Sequence, residues 1–324
     1  MRKGIDVHVC EVGLRDGLQN IKTFFPTGQK LAWIEAEAAA GMPEIEVCSF
    51  VPPKLIPQFS DAREVCAASL KIAEMHENLV VSALMPNLKG AENGIAAGVH
   101  KLNYVTSVSE GHNMANVRRT TDESVEAFRQ IVALRDEKAK ETGKRVRLLA
   151  GLATAFGCTI EGKVDPAAVV RLAEKFLDAG ADELSVADTV GYANPAQIKS
   201  LLEMMFDAFG KDLKLTVHLH DTRGLGIANA SAALEAGARR FDASLAGLGG
   251  CPYAPGATGN IVMDDLVFML DSMGLRTGVD LDRLVAVREI VARNLPGEAL
   301  YGGVAKSGPP KGYVPASRLA AAAE

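Results

Sequence analysis

The chain has no CxxC pair and no zinc-type cysteine spacing. Its five cysteines, at positions 10, 48, 66, 158 and 251, are odd in number and scattered. That excludes a disulfide scaffold and reads as reduced thiols of a cytosolic protein. Positive charge is not in excess either: 35 Lys and Arg stand against 40 Asp and Glu, a formal net of −5 at pH 7. A nucleic-acid binder needs a basic face, so no nucleic-acid partner is expected, whereas an anionic small molecule needs only a few local cations. No apolar run reaches the ~18–20 residues of a membrane-spanning helix. The opening MRKGIDVHVCEVG has no apolar h-region, and the closing SRLAAAAE has no peroxisomal tripeptide. A cytoplasmic protein with no membrane partner is the expectation. Neither a Walker loop nor a GxGxxG fingerprint is present, since GLGIAN at 224–229 ends in asparagine. Nicotinamide and ATP chemistry are therefore unsupported.

What the chain does have is alternation. Strand-like runs at Val7–Val12, Glu44–Cys48, Leu79–Leu84, Leu102–Val105, Val146–Leu152, Glu183–Ala187, Lys214–His220 and Phe241–Ala246 are rich in β-branched and aliphatic residues. Segments with 3.6-residue apolar spacing separate them: Gly28–Ala40, Ala62–His76, Lys89–Ala97, Asp122–Thr142, Pro166–Ala179, Pro195–Phe209 and Leu225–Ala236. Asp264–Ser272 and Asp280–Asn294 follow the last strand. Eight βα units predict an α/β fold of the (β/α)8 TIM-barrel kind, in preference to a doubly wound open sheet. Residues 1–300 are expected as one barrel domain, and the Gly/Pro/Ala-rich 301–324 as a partly ordered tail.

In a barrel the chemistry lies at the C-terminal ends of the strands. VHLHD places His218 and His220 two residues apart on a strand, so both imidazoles share a face. A pair of this kind is as often structural as metal-binding. Asp16, at the mouth of strand 1, turns the balance toward a two-His, one-carboxylate site for a divalent ion. Arg15 beside it is either a salt-bridge partner or a fixed cation facing substrate. GLGGCPYAPGATGN, at 247–260, cannot be helix or central strand. It reads either as a lid that brings Cys251 over the site or as a surface loop with an incidental cysteine.

Together these segments resemble the 3-hydroxy-3-methylglutaryl-CoA lyase family, within the DRE-TIM metallolyases. The match runs from Glu11 to about Gly278: EVGLRDGLQN (11–20), SFVPPKLIPQ (49–58), PNLKG (86–90), VADTVG (186–191), VHLHDT (217–222) and DDLVFMLDSMGLRTGVDL (264–281) support the cysteine loop at 247–260. The resemblance implies a TIM barrel with a cysteine-containing lid loop after strand 8, and a divalent cation, Mg²⁺ or Mn²⁺. It implies cleavage of a 3-hydroxyacyl-CoA to acetyl-CoA and a ketone. Asp16, His218, His220 and Asn260 then surround the metal, and Arg15, Glu46, Asp188 and Cys251 match catalytic positions. Gln19 and Ser49 fall to substrate binding, as do His112 and Arg223. Asp16, Asp188, Glu46 and His218 are all candidates for the general base. Lys22, Lys54, Arg118, Arg119 and Lys306 could meet CoA phosphates, though each could equally be a solvated surface charge. A homodimer and a place in leucine catabolism also follow by analogy.

Several positions depart from the family pattern: Leu14, His112, Asn113, Thr159, Ile160, Arg223 and Asp264. If they line the pocket, they suit a shorter or more polar acyl group, with citramalyl-CoA as the alternative to 3-hydroxy-3-methylglutaryl-CoA. One methylene is worth only ~1–3 kcal/mol of discrimination. A Claisen-type synthase would share the HxH and Arg–Asp pieces but carries extra C-terminal domains and lacks the cysteine loop. A non-catalytic CoA-binding protein would be expected to lack a ligand, and here all are present.

Overall fold

A computed structural model describes residues 4–77, 79–249 and 259–321 of the chain. Strand β1 (His8–Glu11) leads through a π-helical turn at Gly13–Gly17 to helix α1 (Thr27–Ala39) and β2 (Glu44–Ser49). Next come α2 (Ala62–Met75), β3 (Val80–Met85), α3 (Leu88–Ala97), β4 (Lys101–Ser107), α4 (Glu110–Val117), α5 (Thr121–Thr142) and β5 (Arg147–Ala153). Then follow α6 (Pro166–Asp178), β6 (Glu183–Asp188), α7 (Pro195–Phe209), β7 (Leu215–Leu219), α8 (Gly226–Glu235) and β8 (Arg240–Ala243). Helices α9 (Met263–Ser272), α10 (Leu281–Asn294), α11 (Val304–Ser307) and α12 (Ala316–Ala321) complete it. The eight strands close a parallel barrel in sequence order, with β8 pairing back onto β1 through His8↔Arg240 and Glu11↔Ala243. This is the TIM-barrel architecture expected from the alternation.

Local chemistry starts the helices where the polar residues stand. Thr120 and Asn194 each form a capping box, with Glu123 and Gln197 respectively, and Pro195 occupies the first turn of α7. The apolar faces of these helices pack on strands that are buried along nearly their whole length, as parallel strands covered by helices must be. None of the described helices is long and apolar enough to cross a membrane. Cys10, Cys48, Cys66 and Cys158 are all free and buried.

Two departures from the sequence expectation matter, and the C-terminal segment adds detail the sequence does not show. Strand β8 ends at Ala243 rather than Ala246, because Leu245–Gly247 wind into a 3-10 turn in which Ala246 adopts a left-handed φ of 59°. Helix α4 lies in a stretch that the apolar spacing left unassigned; it is a short, polar helix capped by Ser109. The Gly/Pro/Ala-rich C-terminal segment, expected as a partly ordered tail, is anchored in its described part by specific hydrogen bonds. Tyr301 N donates to Ala246 O (2.9 Å), Gly303 N and Val304 N donate to Asp265, and Tyr313 Oη donates to Asp271 (2.8 Å). Short backbone-to-carboxylate bonds of this kind leave no apolar periodicity to read.

The bottom of the barrel is closed by charge. The first residues of six strands meet there: His8, Glu44, Lys101, Arg147, Glu183 and Arg240. Lys101 pairs with Glu44 and lies 3.5 Å from Glu183, which also holds Arg147 (2.8 Å) and Arg240 (3.2 Å). Burial opposes the Glu44 charge, but Lys101 and His8 outweigh it and hold its carboxyl well below the ordinary range. A depressed carboxylate stabilises the fold above its unfolded pKa of ~4.3, and that stability is lost as pH falls toward the folded value. Glu44→Gln should therefore cost ~3–5 kcal/mol at pH 7, the toll of orphaning buried cations. It should also unfold with a flatter acid limb than the native chain when melting is followed from pH 7 downward.

Candidate active site

The opposite, C-terminal end of the barrel gathers a second polar cluster. His218, in β7, and His220, one residue beyond it, present their Nε2 atoms to each other at 3.1 Å. Asp16, in the π-helical turn after β1, brings Oδ2 to 3.8 Å from His218 Nε2 and 3.5 Å from His220 Nε2. Ligands on an ion at ~2.1 Å stand ~3.0 Å apart at right angles and ~3.4 Å apart in a tetrahedron. The three donors thus have the spacing of a divalent-metal site, and they form the one such His/Cys/Asp/Glu group among the described residues. Two imidazole nitrogens facing at this distance need a proton or a cation between them.

The protonation pattern suits that use. Burial opposes the Asp16 charge, yet Arg15, His220 and His218 hold its carboxyl well below the ordinary range, so it is ionised. His218 Nδ1 faces Asp242 Oδ2 at 3.1 Å. A carboxylate there fixes Nδ1 as the N–H and leaves Nε2 its lone pair, the usual support for a metal-bound imidazole. Asn260 donates from Nδ2 to Asp16 Oδ2 (2.8 Å) and Leu248 O (3.0 Å), while its buried Oδ1 has no partner among the described residues. A spare amide oxygen beside Asp16 is what a fourth ligand would offer. Backbone bonds Ile261 N→Leu219 O and Asp221 N→Gly259 O, both 3.0 Å, hold Asn260 against His220. Gly259 makes the approach possible: at φ 106°, an added Cβ would lie 2.1 Å from Gly247 O.

Arg15 is fixed beside the metal-type triad. Its Nε donates to Glu46 Oε2 and its Nη1 to Asp16 Oδ1, both at 2.5 Å, and Nη2 has no partner among the described residues. Burial works against its charge, but Glu46 and Asp16 overcome that and raise its pKa, so the cation is permanent. Glu46 lies in β2 beside a bulge, where Glu46 pairs with Ser82 and Cys48 with Ala83. Burial pushes the Glu46 carboxyl above its ordinary range, although Arg15 and an Asn103 Nδ2 bond to Oε1 (2.9 Å) pull it back.

Comparison with known proteins agrees with this geometry. The HMGL-like family profile matches residues 6–291. The chain belongs to the HMGL-like family. It is 38% identical over 298 residues to a hydroxymethylglutaryl-CoA lyase of Bacillus subtilis (strain 168), covering 91% of this chain and 96% of that one. It is likewise 38% identical over 312 residues to the (R)-citramalyl-CoA lyase of Chloroflexus aurantiacus, covering 94% and 95%. Among solved structures, an HMG-CoA lyase from Acinetobacter baumannii in complex with coenzyme A and 3-methylmalate superposes with a TM-score of 0.86 at 40% identity. That alignment covers 97% of this chain and 99% of the other. The chain is a carbon–carbon lyase of this family.

Of the residues expected from the HMGL-like resemblance, Arg15, Asp16, Glu46, His218, His220 and Asn260 come together. Asp188 ends β6 nearby, but its oxygens accept Tyr192 N (2.8 Å) and Ala193 N (3.1 Å), so it holds its own loop. Arg223 lies over the Tyr192 ring and donates to Val190 O and Gly191 O, both 3.0 Å. His112 is buried with Nδ1 2.7 Å from Ser107 Oγ, and Ser49 Oγ accepts Val51 N at 3.1 Å. Gln19 is half-buried just past the π-helical turn. None of these last four touches the Asp16–His218–His220 cluster in any described hydrogen bond. Cys251 lies outside the described residues. The sequence reading missed Asp242 and Asn103, both found by the structure as partners of site residues. A lone Asp in the strand-like run FDA was the available signal for the first.

Proposed function

We propose that this protein cleaves 3-hydroxy-3-methylglutaryl-CoA to acetyl-CoA and acetoacetate. The observation that supports this most is the convergence of Asp16 Oδ2, His218 Nε2 and His220 Nε2 beside a doubly anchored Arg15. Asp16, His218, His220 and Asn260 would hold a divalent cation, Mg²⁺ or Mn²⁺, which when bound supplies Lewis acidity to the oxygens of the substrate.

The retro-Claisen reaction removes the proton of the tertiary hydroxyl, breaks the adjacent carbon–carbon bond and leaves the electron pair on the thioester as an enolate. Arg15, permanently charged and held rigid by two carboxylates, would stabilise that developing oxyanion through its remaining N–H groups. Asp188 accepts two backbone N–H groups and so positions the β6 loop, as Glu46 accepts Arg15 Nε and Asn103 Nδ2; neither set of bonds fills a carboxylate's lone pairs. Burial raises the proton affinity of both carboxylates, and Glu46, which stands against Arg15 beside the metal-type triad, is the better placed of the two to receive the hydroxyl proton. Cys251 would return a proton to the enolate carbon with its loop closed against water. Cys251→Ala should then lower kcat strongly with bound metal unchanged, as read by turnover alongside metal analysis.

Citramalyl-CoA is the second reading, favoured by the (R)-citramalyl-CoA lyase relative. The same residues would act, and pyruvate would replace acetoacetate. A cytoplasmic homodimer belongs to the proposal as well; light scattering of the purified chain reads the assembly. Steady-state assays on both thioesters, following acetoacetate and pyruvate, decide between the substrates.

A further inference from the structure

Beneath the site lies a buried carboxylate to which neither the family resemblance nor the mechanism above gives a role. Glu11, the last residue of β1, is fully buried. Its Oε1 accepts Gly13 N at 2.6 Å and Leu245 N at 2.9 Å, and Oε2 accepts Leu245 N at 3.0 Å. Gly13 opens the π-helical turn that bears Arg15 and Asp16. Leu245 opens a 3-10 turn, and Leu248 O just beyond it accepts Asn260 Nδ2. One side chain therefore ties two segments 234 residues apart in the chain. The fit is close: an added Cβ at Gly13 would lie 2.5 Å from Glu11 Oε1 and 2.9 Å from the Trp33 ring, and one at Gly249 would lie 2.9 Å from Asp16 O.

We propose that Glu11 is a positioning residue that sets the distance between the Arg15–Asp16 turn and the Asn260 side of the metal-type site, with Glu37 of α1 locking it from behind. Glu37 accepts Trp33 Nε1 at 2.7 Å on Oε1, while its buried Oε2 faces no donor among the described residues. Burial pushes both carboxyls up, Glu11 to about 8 and Glu37 further, so the pair holds protons at neutral pH, and Glu37 is the stronger holder, turned toward Glu11. Glu11 is then held as an acceptor for the two backbone N–H groups.

The activity arm of the test rests on the lyase reading; the metal arm does not. Mn²⁺ binding to the purified full chain is measured by electron paramagnetic resonance, beside kcat and KM on 3-hydroxy-3-methylglutaryl-CoA and circular dichroism. Glu11→Gln should weaken Mn²⁺ binding by about tenfold, the lower end for outer-sphere supports. It should lower kcat by ~10²-fold, the effect of a small misplacement, with KM little changed. Glu37→Gln keeps a donor and should resemble the native chain, whereas Glu37→Leu should shift Mn²⁺ binding as Glu11→Gln does. If Glu11→Gln does not fold, the two Glu37 variants decide alone. Native Mn²⁺ affinity in a folded Glu11→Gln, or identical behaviour of Glu37→Gln and Glu37→Leu, overturns the proposal. An inactive native chain with the expected Mn²⁺ pattern would instead overturn the substrate reading and leave Glu11 in its role.

Discussion

Arg15→Met should lower kcat on 3-hydroxy-3-methylglutaryl-CoA by at least ~10²–10³-fold, the usual cost of removing an oxyanion donor from a site shielded from water. The chain should still fold. Glu46 loses its cationic partner, but burial already raises its proton affinity, so it can become neutral instead of standing as an unpaired charge. Arg15→Lys is the sharper comparison. An ammonium retains the charge yet cannot contact Glu46, Asp16 and a thioester oxygen with one planar fork. It should recover only a small part of the lost rate. Stopped-time product analysis with matched circular dichroism checks both, and a kcat for Arg15→Met close to the native value would remove Arg15 from the chemistry.

The second large effect is on metal dependence. Treatment with a chelator should abolish cleavage, and added Mn²⁺ or Mg²⁺ should restore it. His218→Ala removes one of three converging donors and should leave too weak a site to restore at ordinary metal concentrations. Asp242→Asn should be milder, costing ~10–100-fold in affinity, because it removes only the group that orients His218 Nδ1. The graded series separates direct ligands from their supports. Equal losses in both variants would mean that Asp242 acts through folding, which a thermal melt would show.

The barrel and half of this site are visible in the sequence for simple geometric reasons. Strand periodicity puts His218 and His220 on one face, and a polar turn after the first strand puts Asp16 and Arg15 at its mouth. Asp242 is hidden because its partner is chosen by register between strands: His218 stands opposite Asp242 in the β7–β8 pairing. Asn103 meets Glu46 across an intervening strand, which no spacing within one segment encodes. Glu11 and Glu37 look like ordinary polar residues of a strand and a helix. Only the closure of β8 onto β1 brings Leu245 to Glu11. The π-helical turn at Gly13–Gly17 is too short for any apolar period, so the exact presentation of Arg15 and Asp16 emerges only from the folded chain.

Asp188 shows the opposite case. Its position at the end of β6 made it a candidate for proton transfer, and it does lie at the correct end of the barrel. Its carboxylate also accepts Tyr192 N and Ala193 N, a loop-holding role that its place in the sequence does not reveal. An acidic residue at a strand end can serve a loop as readily as a substrate, and the sequence pattern is the same for both.

The most direct test of the account is product analysis of the purified, metal-loaded chain with 3-hydroxy-3-methylglutaryl-CoA and both citramalyl-CoA stereoisomers. The account predicts acetyl-CoA and acetoacetate in equal amounts from the first, at a higher kcat/KM than any citramalyl-CoA, and nothing after chelation. Cleavage that survives chelation, or no acetoacetate from the metal-loaded chain, would contradict it.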